Sequence, residues 1–222
     1  MYGPPLLDDL SRLKAFSIEE FAQEWTKEGS IIVDSREPEA FSGSHIPNSI
    51  NIWFDGVSFF PGWIIGYDQN VLLITERRED VETVVNYLPR IGYDNIEGYL
   101  CTPILEWRNR AKPFNIIGTL SAADAKIMVE SEEAFMLDVR DDHEWEDGHV
   151  KGAKRIYVGF LDGETKKLPT DKPIIVTCAS GVRSSIVASI LKRKGFENVY
   201  NLLGGMKSWK RSGYPLVQGD DP

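Results

Sequence analysis

At 222 residues, with 42% hydrophobic and 27% charged side chains, the chain has the make-up of a soluble globular protein and lies outside the disordered regime. Its 34 acidic and 25 basic residues leave a formal charge of -9, a surface that repels phosphate backbones and anionic membranes, so no nucleic acid and no membrane is expected as a partner. Two cysteines, Cys101 and Cys178, do not make a disulfide framework, and no stretch reads as a leader or a membrane span, so a reducing, cytoplasmic setting is expected.

In chain order, Val33-Asp34-Ser35-Arg36-Glu37 comes first, followed by a buried-strand pattern at Val71-Leu72-Leu73-Ile74. Val81, Val84, Val85 and Leu88 then share one face of a helix. After Lys112-Pro113-Phe114, Ser121 is placed to cap a helix reaching about Val129, and Ala134 to Leu137 reads as a short strand. His143 to Glu146 suggests a helical turn. Ile174-Ile175-Val176-Thr177 is a continuous apolar, β-branched run, as expected of a central strand covered on both faces. Ile186, Val187, Ile190 and Leu191 lie on one face of a further helix, which Gly195 ends.

The halves repeat. A shift of 104 carries Val33-Asp34-Ser35-Arg36-Glu37 onto Leu137-Asp138-Val139-Arg140-Asp141, Phe41 onto Trp145, His45 onto His149 and Ile52 onto Ile156. A shift of 103 carries Asp68 onto Asp171, Gly92 onto Gly195 and Asn95 onto Asn198. Two homologous α/β domains are therefore expected, 1–113 and 114–222, each a mostly parallel central sheet flanked by helices on both faces. Sites in such sheets form where a central strand's carboxyl end meets the next helix, which is where Cys178 falls.

The loop Cys178-Ala179-Ser180-Gly181-Val182-Arg183-Ser184 carries the chemistry. A thiol attacks as thiolate, and a free cysteine near pKa 8.5 is little ionised at neutral pH. Lowering that value by roughly two units takes about 2.7 kcal/mol, more than the ~0.3–1 kcal/mol of a helix dipole. Backbone amides curling around the sulfur and a nearby cation supply the rest. Gly181 permits the tight ring, and Arg183, set against the dipole in a first helical turn, points to an anion held in the loop. A cysteine after a buried strand is by default a small core hydrophobe. The glycine, the arginine and the helix entry together argue against that default here.

This loop resembles the active-site loop of the rhodanese family of sulfurtransferases. Leu137-Asp138-Val139-Arg140, Gly148 to Ala153, and Leu203-Gly204-Gly205-Met206 with Trp209 are similar to that family's other signatures. The resemblance spans the chain as tandem domains. It implies that Cys178 becomes a persulfide, taking sulfane sulfur from thiosulfate or a small persulfide and passing it to a thiophilic acceptor. Ala179, Ser180, Gly181, Val182, Arg183 and Ser184 would cradle the outer sulfur, and neither a metal nor an organic cofactor is implied. Cysteine phosphatases and arsenate reductases resemble the arrangement but space Cys and Arg by five residues, whereas four stand here, a ring better suited to one sulfur. A non-catalytic interaction module of this type is the other alternative.

In the first half, Thr75 replaces Cys178 and Asp80 replaces Arg183, so that domain is expected to be catalytically inactive. The scaffold of Asp34, Arg36 and His45 remains, which points to a bracing role for Asp138, Arg140 and His149 as well. Cys101 is read as a structural thiol in preference to a resolving partner for Cys178. Tyr2 to Leu7 and Phe60-Pro61-Gly62-Trp63 also resemble the rhodanese pair that follows the metal-dependent persulfide dioxygenase in metallo-β-lactamase-fold fusions. That resemblance implies such a domain or protein as a partner. The rim segments are expected at Phe54 to Trp63 and Val158 to Lys167.

Overall fold

The computed structural model describes residues 13–161 and 163–219, so the Tyr2 to Leu7 motif lies outside the described residues. The chain divides into two compact units, Met1–Asn115 and Ile116–Pro222. In the first, β1 (Lys14–Phe16), α1 (Ile18–Glu24), β2 (Ser30–Asp34), α2 (Pro38–Gly43) and β3 (Ile50–Asn51) lead through a 3-10 turn to α3 (Pro61–Ile64). There follow β4 (Asn70–Ile74), α4 (Asp80–Tyr87), β5 (Ile96–Leu100) and α5 (Ile104–Asn109). In the second, β6 (Gly118–Leu120), α6 (Ala122–Glu130), β7 (Phe135–Asp138), α7 (Asp142–Glu146) and β8 (Lys154–Arg155) come first. They are followed by β9 (Ile174–Thr177), α8 (Val182–Arg193), β10 (Val199–Leu202) and α9 (Gly205–Arg211).

Each unit is an α/β sandwich around a five-stranded, all-parallel sheet, in the orders β1-β5-β4-β2-β3 and β6-β10-β9-β7-β8. Side chains alternate along a strand, so each strand feeds both layers. In the second unit Met136, Ile175 and Leu202 pack with Ala122, Ala125, Met206 and Trp209 of α6 and α9. Val176 points the other way, towards α8, whose Ile186, Val187 and Leu191 are fully buried. The first unit repeats this with Phe16, Phe21, Leu72 and Trp107 in one layer.

Local chemistry sets the element ends. Ser121 accepts from the Asp124 amide, and capping boxes open α1 (Ser17 with Glu20) and α7 (Asp141 with Glu144). The short strands β3 and β8 stop just before Ile52 and Ile156; each isoleucine amide still donates across, to the carbonyls of Asp34 and Asp138 respectively. A register irregularity after Val71 pairs Leu72 with Gly98, so Glu97 is an extra residue in β5. Beyond it the offset between the units falls to 102, matching Leu100 to Leu202 and Trp107 to Trp209.

The bracing residues behave alike in both units. Arg36 forks onto Asp34 and reaches the Ser44 carbonyl; Arg140 forks onto Asp138 and reaches the Gly148 carbonyl. His45 and His149 donate through Nδ1 to the Phe41 and Trp145 carbonyls and stack on those same rings, with centroids 4.1 and 3.5 Å apart.

Candidate active site

In the second sheet the chain passes from β7 outward to β8 and then returns to β9 on the other side of β7. The carboxyl ends of β7 and β9 therefore frame the topological switch point, and the loops after them converge there. One carries α7, and the other carries Cys178.

Cys178 follows a strand buried at every position and is itself 0% exposed. Gly181, at φ +104°, turns the chain into α8 as its N-cap residue. Of the amides from Ala179 to Ser184, that of Gly181 donates to the Cys178 sulfur, at 3.1 Å. The Ser184 hydroxyl stands 3.4 Å from the same sulfur and 2.7 Å from Asn201 Oδ1, while Asn201 Nδ2 donates to the Gly181 carbonyl at 3.0 Å. A hydroxyl has one hydrogen to give. It can serve Asn201 Oδ1 or the sulfur, but not both at once.

The outer wall of the loop is held by α9. The Met206 and Lys207 amides donate to the Cys178 and Ala179 carbonyls at 2.8 and 2.9 Å. This contact requires Gly205: a Cβ there would lie 2.3 Å from the Cys178 carbonyl oxygen and 2.8 Å from the Ser180 nitrogen. Ala179, Ser180 and Arg183 are half-buried, and Ser184 is buried. Val182, the first residue of α8, is half-buried as well.

Arg183, expected to serve the loop through its cation, has a carboxylate partner on a neighbouring element. Both of its terminal nitrogens grip the Glu144 carboxylate of α7, at 2.6 and 2.7 Å, with side chains only 18% and 29% exposed. The Glu144 hydrogen bonds raise the Arg183 pKa above its ordinary value; burial opposes them, and the Cys178 charge adds to the rise. Asp141 titrates below its usual range, chiefly because its carboxylate accepts the Glu144 amide, with Arg183 adding to the effect. The anion paired with Arg183 here is Glu144, on α7 and outside the loop.

Sequence reasoning missed Glu144 and Asn201. The repeat held the signal for both. Glu144 corresponds to Ala40, since Arg140 reaches the Glu144 carbonyl as Arg36 reaches that of Ala40. Asn201 pairs with Val176 where the first sheet pairs Tyr99 with Leu73. In that first loop, Thr75 donates to the Arg77 carbonyl and Arg77 forks onto Asp80, closing the loop on its own side chains. Cys101, expected as a structural thiol, is exposed, and both cysteines are free.

A cleft of about 480 Å³ lies beside α7, lined by Asp141, His143, Arg155, Tyr157 and Phe160 among others, and so includes part of the expected Val158 to Lys167 rim. A larger one, about 550 Å³, has none of the Cys178 loop in its lining and is formed by Val129, Phe135, Trp209 and Leu216 among others. The smaller cleft likewise has none of that loop in its lining, and it borders α7, whose Glu144 pairs with Arg183. In the first unit, the other expected rim segment folds as a 3-10 turn (Phe54–Ser58) and α3.

An α/β domain with a hydrogen-bonded thiol at the carboxyl end of a central parallel strand defines a class of thiol-loop proteins. The Rhodanese-like domain family model matches residues 17–97 and again 121–212, and the chain belongs to that family, with two copies of the domain in tandem. It is 39% identical over 77 residues to "Uncharacterized protein YqhL" of Bacillus subtilis, a stretch that is 35% of this chain and 61% of that protein. It is 33% identical over 91 residues to "Thiosulfate sulfurtransferase GlpE" of Coxiella burnetii, which is 41% of this chain and 85% of that one. Among solved structures, a rhodanese-related protein from Thermoplasma volcanium matches 46% of the chain and 99% of its own length at 31% identity and a TM-score of 0.43. Thiosulfate sulfurtransferase from Pseudomonas aeruginosa matches 94% of the chain and 44% of its own at 18% identity and a TM-score of 0.43. Among the described residues no helix is long and apolar enough to cross a membrane.

Proposed function

We propose that the second unit is a sulfurtransferase working by double displacement through Cys178. The observation that carries the reading is the Cys178 sulfur held 3.1 Å from the Gly181 amide, with the Ser184 hydroxyl in reach. The thiolate attacks the sulfane sulfur of a donor such as thiosulfate or a small persulfide. The donor's S–S bond breaks, its electron pair leaves with sulfite or a thiolate, and Cys178 holds the sulfur as a persulfide anion. A thiophilic acceptor then attacks the outer sulfur, and the Cys178 thiolate departs as leaving group. The loop amides and Ser184 serve whichever sulfur is anionic. The family and the thiosulfate sulfurtransferase relatives support this reading.

The first unit is catalytically silent in this proposal, because the Arg77–Asp80 pair occupies the place of an anion site. Small sulfur compounds are the substrates, a persulfide dioxygenase domain or protein is the partner class, and the setting is cytoplasmic. The test is incubation with thiosulfate, then intact mass, then cyanide. A one-sulfur adduct that cyanide removes and Cys178→Ser abolishes is expected. No adduct with any of several donors would overturn the reading in favour of an interaction module. Faster Cys178-dependent release of phosphate from an aryl phosphate would favour the phosphatase alternative.

A further inference from the structure

The loop from Cys178 to Ser184 contains one charged residue, Arg183, and that charge is already matched. Glu144 holds it in a bidentate pair between largely buried side chains, the geometry in which ion pairing is least screened. The repeat supplies an internal control. The Asp–Arg braces persist in both units, so they belong to the scaffold. Glu144 does not persist: Ala40 stands in its place, in the same unit where Asp80 replaces Arg183 and Thr75 replaces Cys178. Glu144 is thus present where both its partner Arg183 and the Cys178 thiol are present, and absent where both are absent.

Glu144 is also mounted firmly. Its carboxylate returns to the Asp141 amide in the α7 capping box, and its carbonyl accepts from Arg140, which is fixed to Asp138. The titratable groups around the pair are Asp141 on α7, Cys178 after β9, and the closed Asp138–Arg140 pair at the end of β7, whose Arg140 reaches the Glu144 carbonyl. The adjoining cleft adds Asp142, paired with Arg155, together with His143 and Glu164.

We propose that Glu144 is a positioning and specificity-setting residue that neutralises Arg183 beside the Cys178 loop. The site then discriminates little in favour of doubly charged donors such as thiosulfate and relies on its hydrogen bonds to hold the sulfur anion. Arg183 stays oriented by Glu144 through the cycle instead of swinging onto the donor. The proposal rests on the sulfur-transfer reading for its meaning, but its first test does not.

Glu144→Gln suits that test because glutamine also serves a capping box, leaving α7 in place while the charge is lost. With Arg183 unpaired, the profile of Cys178 alkylation by iodoacetamide against pH moves to lower pH. At about pH 6.5 the rate rises about threefold, because an added cation gives about tenfold more thiolate while the weaker base recovers part of that. Glu144→Asp, which keeps the charge, stays near the parent. Arg183→Gln moves the profile to higher pH, and the double variant Glu144→Gln/Arg183→Gln returns it towards the parent. In transfer assays with the full chain, Glu144→Gln lowers KM for thiosulfate more than for the singly charged benzenethiosulfonate. A Glu144→Gln profile that overlies the parent's, in protein with an unchanged circular dichroism spectrum, overturns the proposal. Should Glu144→Gln not fold, Arg183→Gln and the double variant still decide: equal upward shifts in both overturn it. Alkylation reads the thiol whether or not sulfur is transferred, so loss of transfer with the predicted alkylation shifts would discredit the sulfurtransferase reading alone.

Discussion

Two glycines of the second unit differ in what they tolerate. At Gly205 a methyl group would strike backbone atoms of the Cys178 loop at 2.3 and 2.8 Å, and at φ +52° the residue is already in the left-handed region. Gly205→Ala should therefore cost about 1–3 kcal/mol and displace the loop, with loss of most sulfur loading. At Gly181 the nearest atoms would be at 3.4 and 3.5 Å, so Gly181→Ala meets only the strain of φ +104°. It should destabilise by about 1 kcal/mol and retain part of the loading. Thermal melts and mass-detected persulfide would separate the pair; equal effects would argue against the Gly205 contact. Asn201→Leu removes the partner of both Ser184 and the Gly181 carbonyl, and should cost about 1–3 kcal/mol as those groups lose their bonds inside the core.

At the scale of elements, the Asp–Arg braces tie the ends of β2 and β7 to the turns that follow. Their side chains are at most 5% exposed. Arg140→Ala strands a buried carboxylate and should cost about 3–5 kcal/mol, which urea unfolding would measure. The capping box of α7 gives a pH dependence. Asp141 titrates below its ordinary value of 3.8, because it accepts the Glu144 amide, so its contribution is fully present above that value. It is lost as pH falls through the lower, folded-state value, and Asp141→Asn should flatten stability against pH on the acid side. These elements were the legible part of the sequence: hydrophobic period, caps and repeat placed strands and helices within a residue or two. The site was legible only along the chain. Cys178 and Gly181 announced themselves through local geometry, whereas Glu144 and Asn201 reach the loop across 39 and 20 residues. Nothing in local spacing marks such partners. Only comparison between the copies does, and an extra residue at Glu97 moved that comparison out of step just before Asn201's counterpart.

For the whole molecule, the two copies separate what is shared from what differs. Both units keep the sheet order, the brace and the stacked histidine, and the first has Thr75 and Asp80 where the second has Cys178 and Arg183. Every residue placed around Cys178 belongs to Ile116–Pro222, a unit with its own core and of a length that commonly folds alone. That fragment should form the Cys178 persulfide by itself, and Thr75→Cys in the full chain should add no second one. Mass spectrometry after thiosulfate treatment checks both; a sulfur adduct on the introduced thiol would show that the nucleophile alone sufficed.

The clamp of α9 on the Cys178 loop also bears on biosynthesis. The carbonyls of Cys178 and Ala179 are bound by amides 206 and 207, and Asn201 stands on a strand inserted between β6 and β9. All of these are translated after the cysteine. A nascent chain that has exposed Cys178 but not residues 201–207 holds the cysteine on an unfinished sheet, without these contacts. The loop's geometry is thus completed late in synthesis, only when the strand and helix that follow have left the ribosome and docked.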